Sequence, residues 1–300
     1  MENQQRVVVL GAGGRLARSL VEAWSGRFRV RSVRRSGDGG LDVADERAVR
    51  RFFEEVDFDW IVNGTGLTNV DRCETARDEA LQVNARAPAI LADIACRRKA
   101  RVLHFSTDYV FDGIEAGLLK ESDAASPLGW YGETKLRGER AVMQRDARHV
   151  VVRVSWVFGP HKSSFVDQIL ARALREERVE AIEDKWSSPT SAEDAASWLA
   201  PFLERDLPGG VYHACNAGWC SWREYGQEAL DIAAALGWPL RARRVDGIPL
   251  ASVRSFVAPR PVRTILDTTK LQSVAGVTLR TWQEALQDYI ARHAPVPPAA

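Results

Sequence analysis

The chain is short of several features that assign a protein quickly. Its four cysteines, Cys73, Cys96, Cys215 and Cys220, include no CxxC pair. Spread through 300 residues, they make no disulfide framework and are expected to stay reduced. The one metal-like grouping, His213-x-Cys215-x4-Cys220, fits no common zinc spacing and lacks a fourth ligand, so strand packing is its expected role and no metal site is assigned. Charge of one sign is also missing. With 41 Lys and Arg against 40 Asp and Glu, the net charge is +1, which offers nucleic acid or an anionic membrane no footprint. No run approaches the ~20 apolar residues of a spanning helix. The start, Met1-Glu-Asn-Gln-Gln-Arg6, carries neither the apolar region nor the cleavage site of a secretory leader. The expectation is a cytoplasmic protein acting on a small molecule, with neither nucleic acid nor membrane as partner.

What is present is a 45% hydrophobic composition, ample for a large core, and a repeated strand-then-helix rhythm. The predicted fold class is α/β, a Rossmann-type doubly wound parallel sheet with a smaller C-terminal domain. Residues 1–156 are read as the dinucleotide-binding part, with segments near 187–215 returning to it. Residues 157–293 are read mainly as a substrate-binding domain, and the Pro/Ala tail 294–300 as frayed. A long helical region is expected from Val70 through Asn84 to Lys99, and arginine-rich loops after the helix ending near Leu236. The ten tryptophans are read mostly as core residues.

The first apolar strand, Arg6-Val-Val-Val-Leu10, runs into Gly11-Ala-Gly-Gly14-Arg-Leu-Ala17 and then a helix. Glycine there permits a sharp turn and close approach to a pyrophosphate, whose charge the helix N-terminus holds. Gly11, Gly13, Gly14, Arg15 and Leu16 are therefore candidate cofactor contacts, joined by Gly64, Thr65 and Gly66 after the strand Trp60–Asn63. At the end of the second strand an NAD site usually carries an acid for the ribose 2′-OH. Here Arg34-Arg35-Ser36 stands instead, and guanidiniums suit a 2′-phosphate. NADPH is the expected cofactor and NADH the alternative, with Arg34 as the contact.

The stretch that organises the rest runs from Ser106-Thr107-Asp108, closing a predicted strand, to Tyr131-Gly-Glu-Thr-Lys135, opening a predicted helix. A Tyr and a Lys four apart share one helix face. A nearby ammonium stabilises a phenolate, so Lys135 is expected to lower the Tyr131 pKa and make it a general acid. Thr107, at the C-terminal end of a parallel strand, reaches the same point. Thr107, Tyr131 and Lys135 are the candidate catalytic set for carbonyl reduction or alcohol oxidation.

These motifs together resemble the extended short-chain dehydrogenase/reductase superfamily. From Val7 to about Ile290 the chain resembles one family in it, the dTDP-4-dehydrorhamnose reductases. The resemblance is carried by the glycine turn, Phe105-Ser-Thr-Asp-Tyr-Val-Phe-Asp-Gly113, Pro127-Leu-Gly-Trp-Tyr-Gly-Glu-Thr-Lys-Leu-Arg-Gly-Glu139, Arg153-Val-Ser-Trp-Val-Phe-Gly159, Pro189-Thr190 and Arg260-Pro261. It implies NADPH-dependent reduction of the 4-keto group of dTDP-4-dehydro-L-rhamnose. It also implies Asp42 and Val43 beside the adenine, Lys135 holding the nicotinamide ribose, and Thr107, Asp108, Trp156 and Arg260 against the substrate. It leaves a Mg2+ requirement and a homodimer open. Departures fall at Ala17, Leu67, Ser164 and Arg263-Thr264, where the family usually has Gly, Tyr, Asn and Asn-Ser. Sugar 4,6-dehydratases of this fold carry Thr-Asp-Glu where this chain has Thr107-Asp108-Tyr109, which favours simple ketone reduction. The alternatives are a reductase of another nucleotide-linked 4-keto sugar and a non-catalytic regulatory subunit, since the methionine adenosyltransferase beta subunit resembles the same family.

Overall fold

A computed structural model describes residues 4–293; the tail expectation for 294–300 lies outside them. The first half alternates β1 (Arg6–Leu10), α1 (Arg15–Trp24), β2 (Arg29–Val33), α2 (Glu46–Glu54), β3 (Trp60–Asn63), α3 (Val70–Thr75), α4 (Arg77–Leu81), α5 (Ala87–Arg97), β4 (Arg101–Thr107), α6 (Trp130–Arg145) and β5 (Val150–Val154). The second half adds β6 (Val157–Phe158), α7 (Phe165–Ala173), β7 (Val179–Ile182), β8 (Trp186–Ser187), β9 (Thr190–Ser191), α8 (Ala192–Glu204), β10 (Gly210–His213), β11 (Cys220–Ser221), α9 (Trp222–Ala235), β12 (Val245–Ile248), β13 (Arg263–Thr264), α10 (Thr269–Ala275) and α11 (Trp282–His293).

Six strands form one parallel sheet in the order β10-β5-β4-β3-β1-β2. Strands such as Val7–Leu10 and Val150–Val154 are buried along their length, because helices cover both faces and each residue, whichever way it points, meets apolar surface. One face packs Val7, Val9, Val62 and Val152 against Leu20 and Trp24 of α1, Leu199 of α8 and Leu271 of α10. The other packs Val8, Ile61, Val102 and Val151 against Phe53 of α2, Leu91 of α5 and Val142 of α6. The chain thus returns after residue 156: α8 covers α1, and β10 closes the β5 edge. A second core joins α7, α9 and α11 with Val179 of β7 and Val245 of β12. The expected arginine-rich loops contain two strands, β12 on β7 and β13 on β8. Pairing with distant segments of the same chain made these strands; their own sequences are too short and mixed to announce it.

The long helix expected from Val70 to Lys99 is broken. Ala76 leaves helical geometry at φ −114° and ψ 57°, and Gln82–Arg86 forms a π turn. Pro88 supplies the reason for the second break, since it has no N–H to return to the Asn84 carbonyl. The buried Asn84 side chain there accepts from Leu67 N and donates to Leu67 O and Thr134 Oγ1, at 2.8, 3.1 and 3.2 Å.

Candidate active site

In the strand order β1 lies between β2 and β3, so the connections leave it in opposite directions and open a crevice at the C-terminal strand ends. Gly11 turns the chain there at φ +77°, and a Cβ on it would stand 2.7 Å from the Gly64 carbonyl oxygen. Only glycine fits both the left-handed backbone and the contact. Gly14 is the extended residue opening α1, Gly13 is exposed, and Leu16 is half-buried. A cleft of about 520 Å³ runs from Gly14, Arg15 and Gly64–Gly66 past Thr107, Tyr131 and Lys135 to Tyr109, Trp156 and Lys162. An adjoining hollow of about 240 Å³ shares Arg15 and Trp156 and is walled by Phe165, Trp222 and Tyr225.

Helix α6 brings in Tyr131 and Lys135, the pair expected to be catalytic. Its N-cap, Gly129, offers no side chain, and Glu74 of α3 instead accepts from Trp130 N at 2.5 Å. Gly132 lets the helix lie against the preceding loop: a Cβ there would sit 2.1 Å from the Tyr109 carbonyl oxygen. Tyr131 and Lys135 consequently face the end of β4. Tyr109 packs edge-on against Tyr131, ring centroids 5.6 Å apart, and Thr107 lines the same cleft, its hydroxyl favouring the phenolate.

The electrostatics differ from the expectation of a phenol acidified by its lysine. Burial is the main influence on Tyr131 and pushes its pKa up, with the Asp108 charge adding to the rise. Burial likewise brings Lys135 down to about 8, partly opposed by Glu139 one turn on. Lys135 Nζ donates to the Phe105 carbonyl at 2.5 Å. Loss of water is the largest influence on both groups. His104, fully buried beside them, is held neutral by its burial and by Lys135.

The other candidates scatter. The Arg15 guanidinium donates to the backbone carbonyls of Val157, Lys162 and Ser163 at 2.7, 2.6 and 2.7 Å, tying the glycine turn to the loop after β6. Arg34 is exposed beyond the end of β2, while Arg35 pairs with Asp42 at 3.0 Å. Asp42 also accepts from Ala44 N, and Val43 is buried in the sheet core. Trp156 holds φ +40° and stacks on Tyr225, and its buried indole N–H has no partner among the described residues. Arg260 makes a two-point bond to Asp71, at 3.0 and 2.8 Å, and lies over Phe256. That guanidinium and two backbone N–H groups hold the Asp71 carboxyl down at about 2. Asp108 is buried with both oxygens occupied by hydroxyl donors.

Residues not singled out from the sequence also build the site. Asn84 holds the backbone of Leu67, and the Asn84-x3-Pro88 spacing was its available signal. Lys185 is fully buried; its Nζ donates to the Pro261 carbonyl at 2.6 Å and sits 5.2 and 5.8 Å from the Tyr109 and Trp156 ring centres. Burial lowers it to about 8. Among the described residues no three His, Cys, Asp or Glu side chains converge as a metal site, and no helix is long and apolar enough to cross a membrane.

With this geometry in place, known proteins can be set beside the chain. A family described as the RmlD substrate binding domain matches residues 5–294. A dTDP-4-dehydrorhamnose reductase from Aggregatibacter actinomycetemcomitans is 32% identical over 94% of this chain and 97% of its own. One from Mycolicibacterium smegmatis is 33% identical, covering 96% and 85%. A Streptomyces antibioticus relative, named as a probable dTDP-4,6-dihydroxy-2-methyloxan-3-one 4-ketoreductase, is 32% identical over 94% of both chains. Among solved structures, the Bacillus anthracis dTDP-4-dehydrorhamnose reductase in complex with NADP aligns at a TM-score of 0.89 and 25% identity, covering 96% of this chain and 99% of that one. The chain therefore belongs to the dTDP-4-dehydrorhamnose reductase family.

Proposed function

We propose that the protein reduces the 4-keto group of dTDP-4-dehydro-L-rhamnose to give dTDP-L-rhamnose, with NADPH as the preferred cofactor. The observation that carries this reading is the meeting of Thr107, Tyr131 and Lys135 in the same cleft as Gly14, Arg15 and Leu16, where the glycine turn opens α1. A nicotinamide dinucleotide fits that end, because the open space beside Gly13 and the amides opening α1, which no side chain caps, suit a pyrophosphate. Gly13, Gly14, Leu16 and Gly64–Gly66 would hold it, with Arg34 free to meet a 2′-phosphate. When bound, such a cofactor supplies the hydride.

The chain's own residues do the rest. Tyr131, kept protonated through neutral pH by burial, gives its proton to the alkoxide that develops at C4. The phenolate left behind is buried, and the Lys135 ammonium, present up to about pH 8, offsets its charge from the same helix face. Trp156 and the aromatic hollow behind it suit the sugar and base, whose binding far from C4 positions the ketone. The second core, with α7 and α9 behind this hollow, acts as the substrate-binding part.

A second reading, reduction of another dTDP-linked ketone, is favoured by the Streptomyces antibioticus relative. The test offers purified protein dTDP-4-dehydro-L-rhamnose beside the same sugar on UDP or GDP, following NADPH absorbance and comparing kcat/KM. Highest kcat/KM on the dTDP-rhamnose ketone is the expected result. Preference for another nucleotide reassigns the substrate, and no turnover on any ketone favours a regulatory role.

A further inference from the structure

The Arg260 side chain, only 7% exposed, is spent within the protein. Its Nη1 and Nη2 donate to Oδ1 and Oδ2 of Asp71 at 3.0 and 2.8 Å, and Nη1 donates again to the Ala258 carbonyl at 2.9 Å. One face of the guanidinium covers the Phe256 ring at 4.2 Å. Asp71 is occupied in turn: Oδ1 also accepts from the Val257 and Ala258 amides at 2.8 and 2.9 Å. Held down at about 2, its carboxyl is ionised through neutral pH. Two-point bonds between a guanidinium and a carboxylate are strong and fix direction as well as distance.

This clasp joins parts of the chain that meet nowhere in sequence. Asp71 lies in the first turn of α3, next to Val70 of the cleft lining, and Arg260 lies in the connection from β12 to β13. Phe256, under the guanidinium, packs edge-on against Trp222 with centroids 6.3 Å apart. Trp222 in turn walls the aromatic hollow, 5.6 Å from Trp156 and 5.5 Å from Phe165. Beyond the clasp, Lys185 holds the Pro261 carbonyl and β13 pairs with β8. Opening the clasp therefore loosens residues 256–260 and leaves the rest of the connection pinned.

We propose that Arg260 and Asp71 are positioning residues for the substrate's nucleotide: their clasp sets Phe256 against Trp222 and so shapes the hollow that takes the base, without Arg260 touching the substrate. This rests on the reading of that hollow as the nucleotide site. It departs from the expectation that Arg260 lies against the substrate. A guanidinium whose fork meets a carboxylate and whose face covers a ring is committed to holding its own loop.

The test is dTDP binding, measured by calorimetry with NADP+ present, for Asp71→Asn, Arg260→Met and the double variant. Asp71→Asn keeps one acceptor oxygen but turns an N–H toward Arg260, which can only donate. Each single variant should weaken dTDP about tenfold, the scale of one charge-assisted hydrogen bond. The double variant should be no weaker than the worse single one, because the two residues act as a unit. NADPH affinity should stay within about twofold, since the clasp shares no partner with the glycine turn. With the ketone substrate, KM should rise with the dTDP Kd and kcat should fall by less. Amide exchange at Val257 and Ala258 should quicken in each variant as the segment loosens. Unchanged dTDP affinity in Asp71→Asn beside a loss in Arg260→Met overturns the proposal and makes Arg260 a substrate contact, as do losses that add in the double variant. Equal losses of dTDP and NADPH overturn it by making the clasp a general support, and weaker dTDP without faster exchange overturns it because the segment has kept its place. A wild type that binds no dTDP overturns it as well. One that binds dTDP yet turns over no ketone counts against the reductase reading and leaves the clasp to be decided by these binding measurements. Should Arg260→Met fail to fold, Arg260→Lys keeps the cation and loses the fork, and it should weaken dTDP in the same direction.

Discussion

The two ends of the cleft are built by different means. At the dinucleotide end, neighbours in sequence are neighbours in space: Gly11 to Leu16 form one turn, and Gly64 to Gly66 lie against it. Behind the far end, the supporting residues come from the whole chain, with Asp108 of the lining joined to Ser187 and Thr264 across 79 and 156 positions, and Arg260 joined to Asp71, next to the lining residue Val70, across 189. Backbone shape governs the first end and buried side-chain bonding the second. Substitutions at the first should act through geometry and those at the second through charge and hydrogen bonding.

Tyr131→Phe, where the two ends meet, should have the largest effect. Removing the phenolic proton while keeping the ring should lower turnover by about 10²-fold or more, with NADPH affinity, followed by fluorescence titration, nearly unchanged. Retained turnover would place the proton donor elsewhere. Gly11→Val attacks the dinucleotide end through shape. Its Cβ meets the Gly64 carbonyl at φ +77°, and strain of about 1–3 kcal/mol should weaken cofactor binding roughly tenfold to a hundredfold by calorimetry, with a smaller change in sugar KM. Equal losses at both ends would mean that the turn supports the whole cleft.

Replacing Arg34 and Arg35 by Ala tests charge at that same end. About tenfold weaker NADPH binding with NADH unaffected is expected, since only the former carries the 2′-phosphate. Equal changes in the two would make the pair a surface turn.

The smallest effect should come from Lys185→Met at the other end. Burying an ammonium against a carbonyl and two rings is unfavourable, as its pKa of about 8 implies. The neutral side chain should therefore raise stability at pH 7 by about 1 kcal/mol. Between about pH 8 and the ordinary lysine value near 10.4, the unfolded wild type binds more protons than the folded one, so its stability rises with pH. The advantage of the Met variant should shrink over that window in denaturant melts. An advantage independent of pH would mean that folding does not lower the Lys185 pKa.

The contrast between the ends also explains what the sequence disclosed. The parallel sheet was legible because strands buried on both faces read as apolar runs, and Tyr131 and Lys135 because a spacing of four defines a helix face. The rise in the Tyr131 pKa was not, since it depends on how completely Tyr109, Cys73 and α6 exclude water. Nor was the double bond between Arg260 and Asp71: each residue alone reads as an exposed charge, and only the folded chain shows the loop at Val257 and Ala258 closing on the carboxylate. Pro88 and Asn84 stood in plain view, yet the helical period around them concealed the π turn.

The pairing of β10 with β5 bears on how the protein is made. Residues 1–156 emerge from the ribosome with every strand of the sheet except the last in place, and Val150–Val154 stays an open, apolar edge until Gly210–His213 has been synthesised. Such an edge invites pairing with other chains. A chain cut anywhere between β5 and β10 should therefore be prone to aggregate, whereas one ending just beyond His213 already carries the strand that seals it.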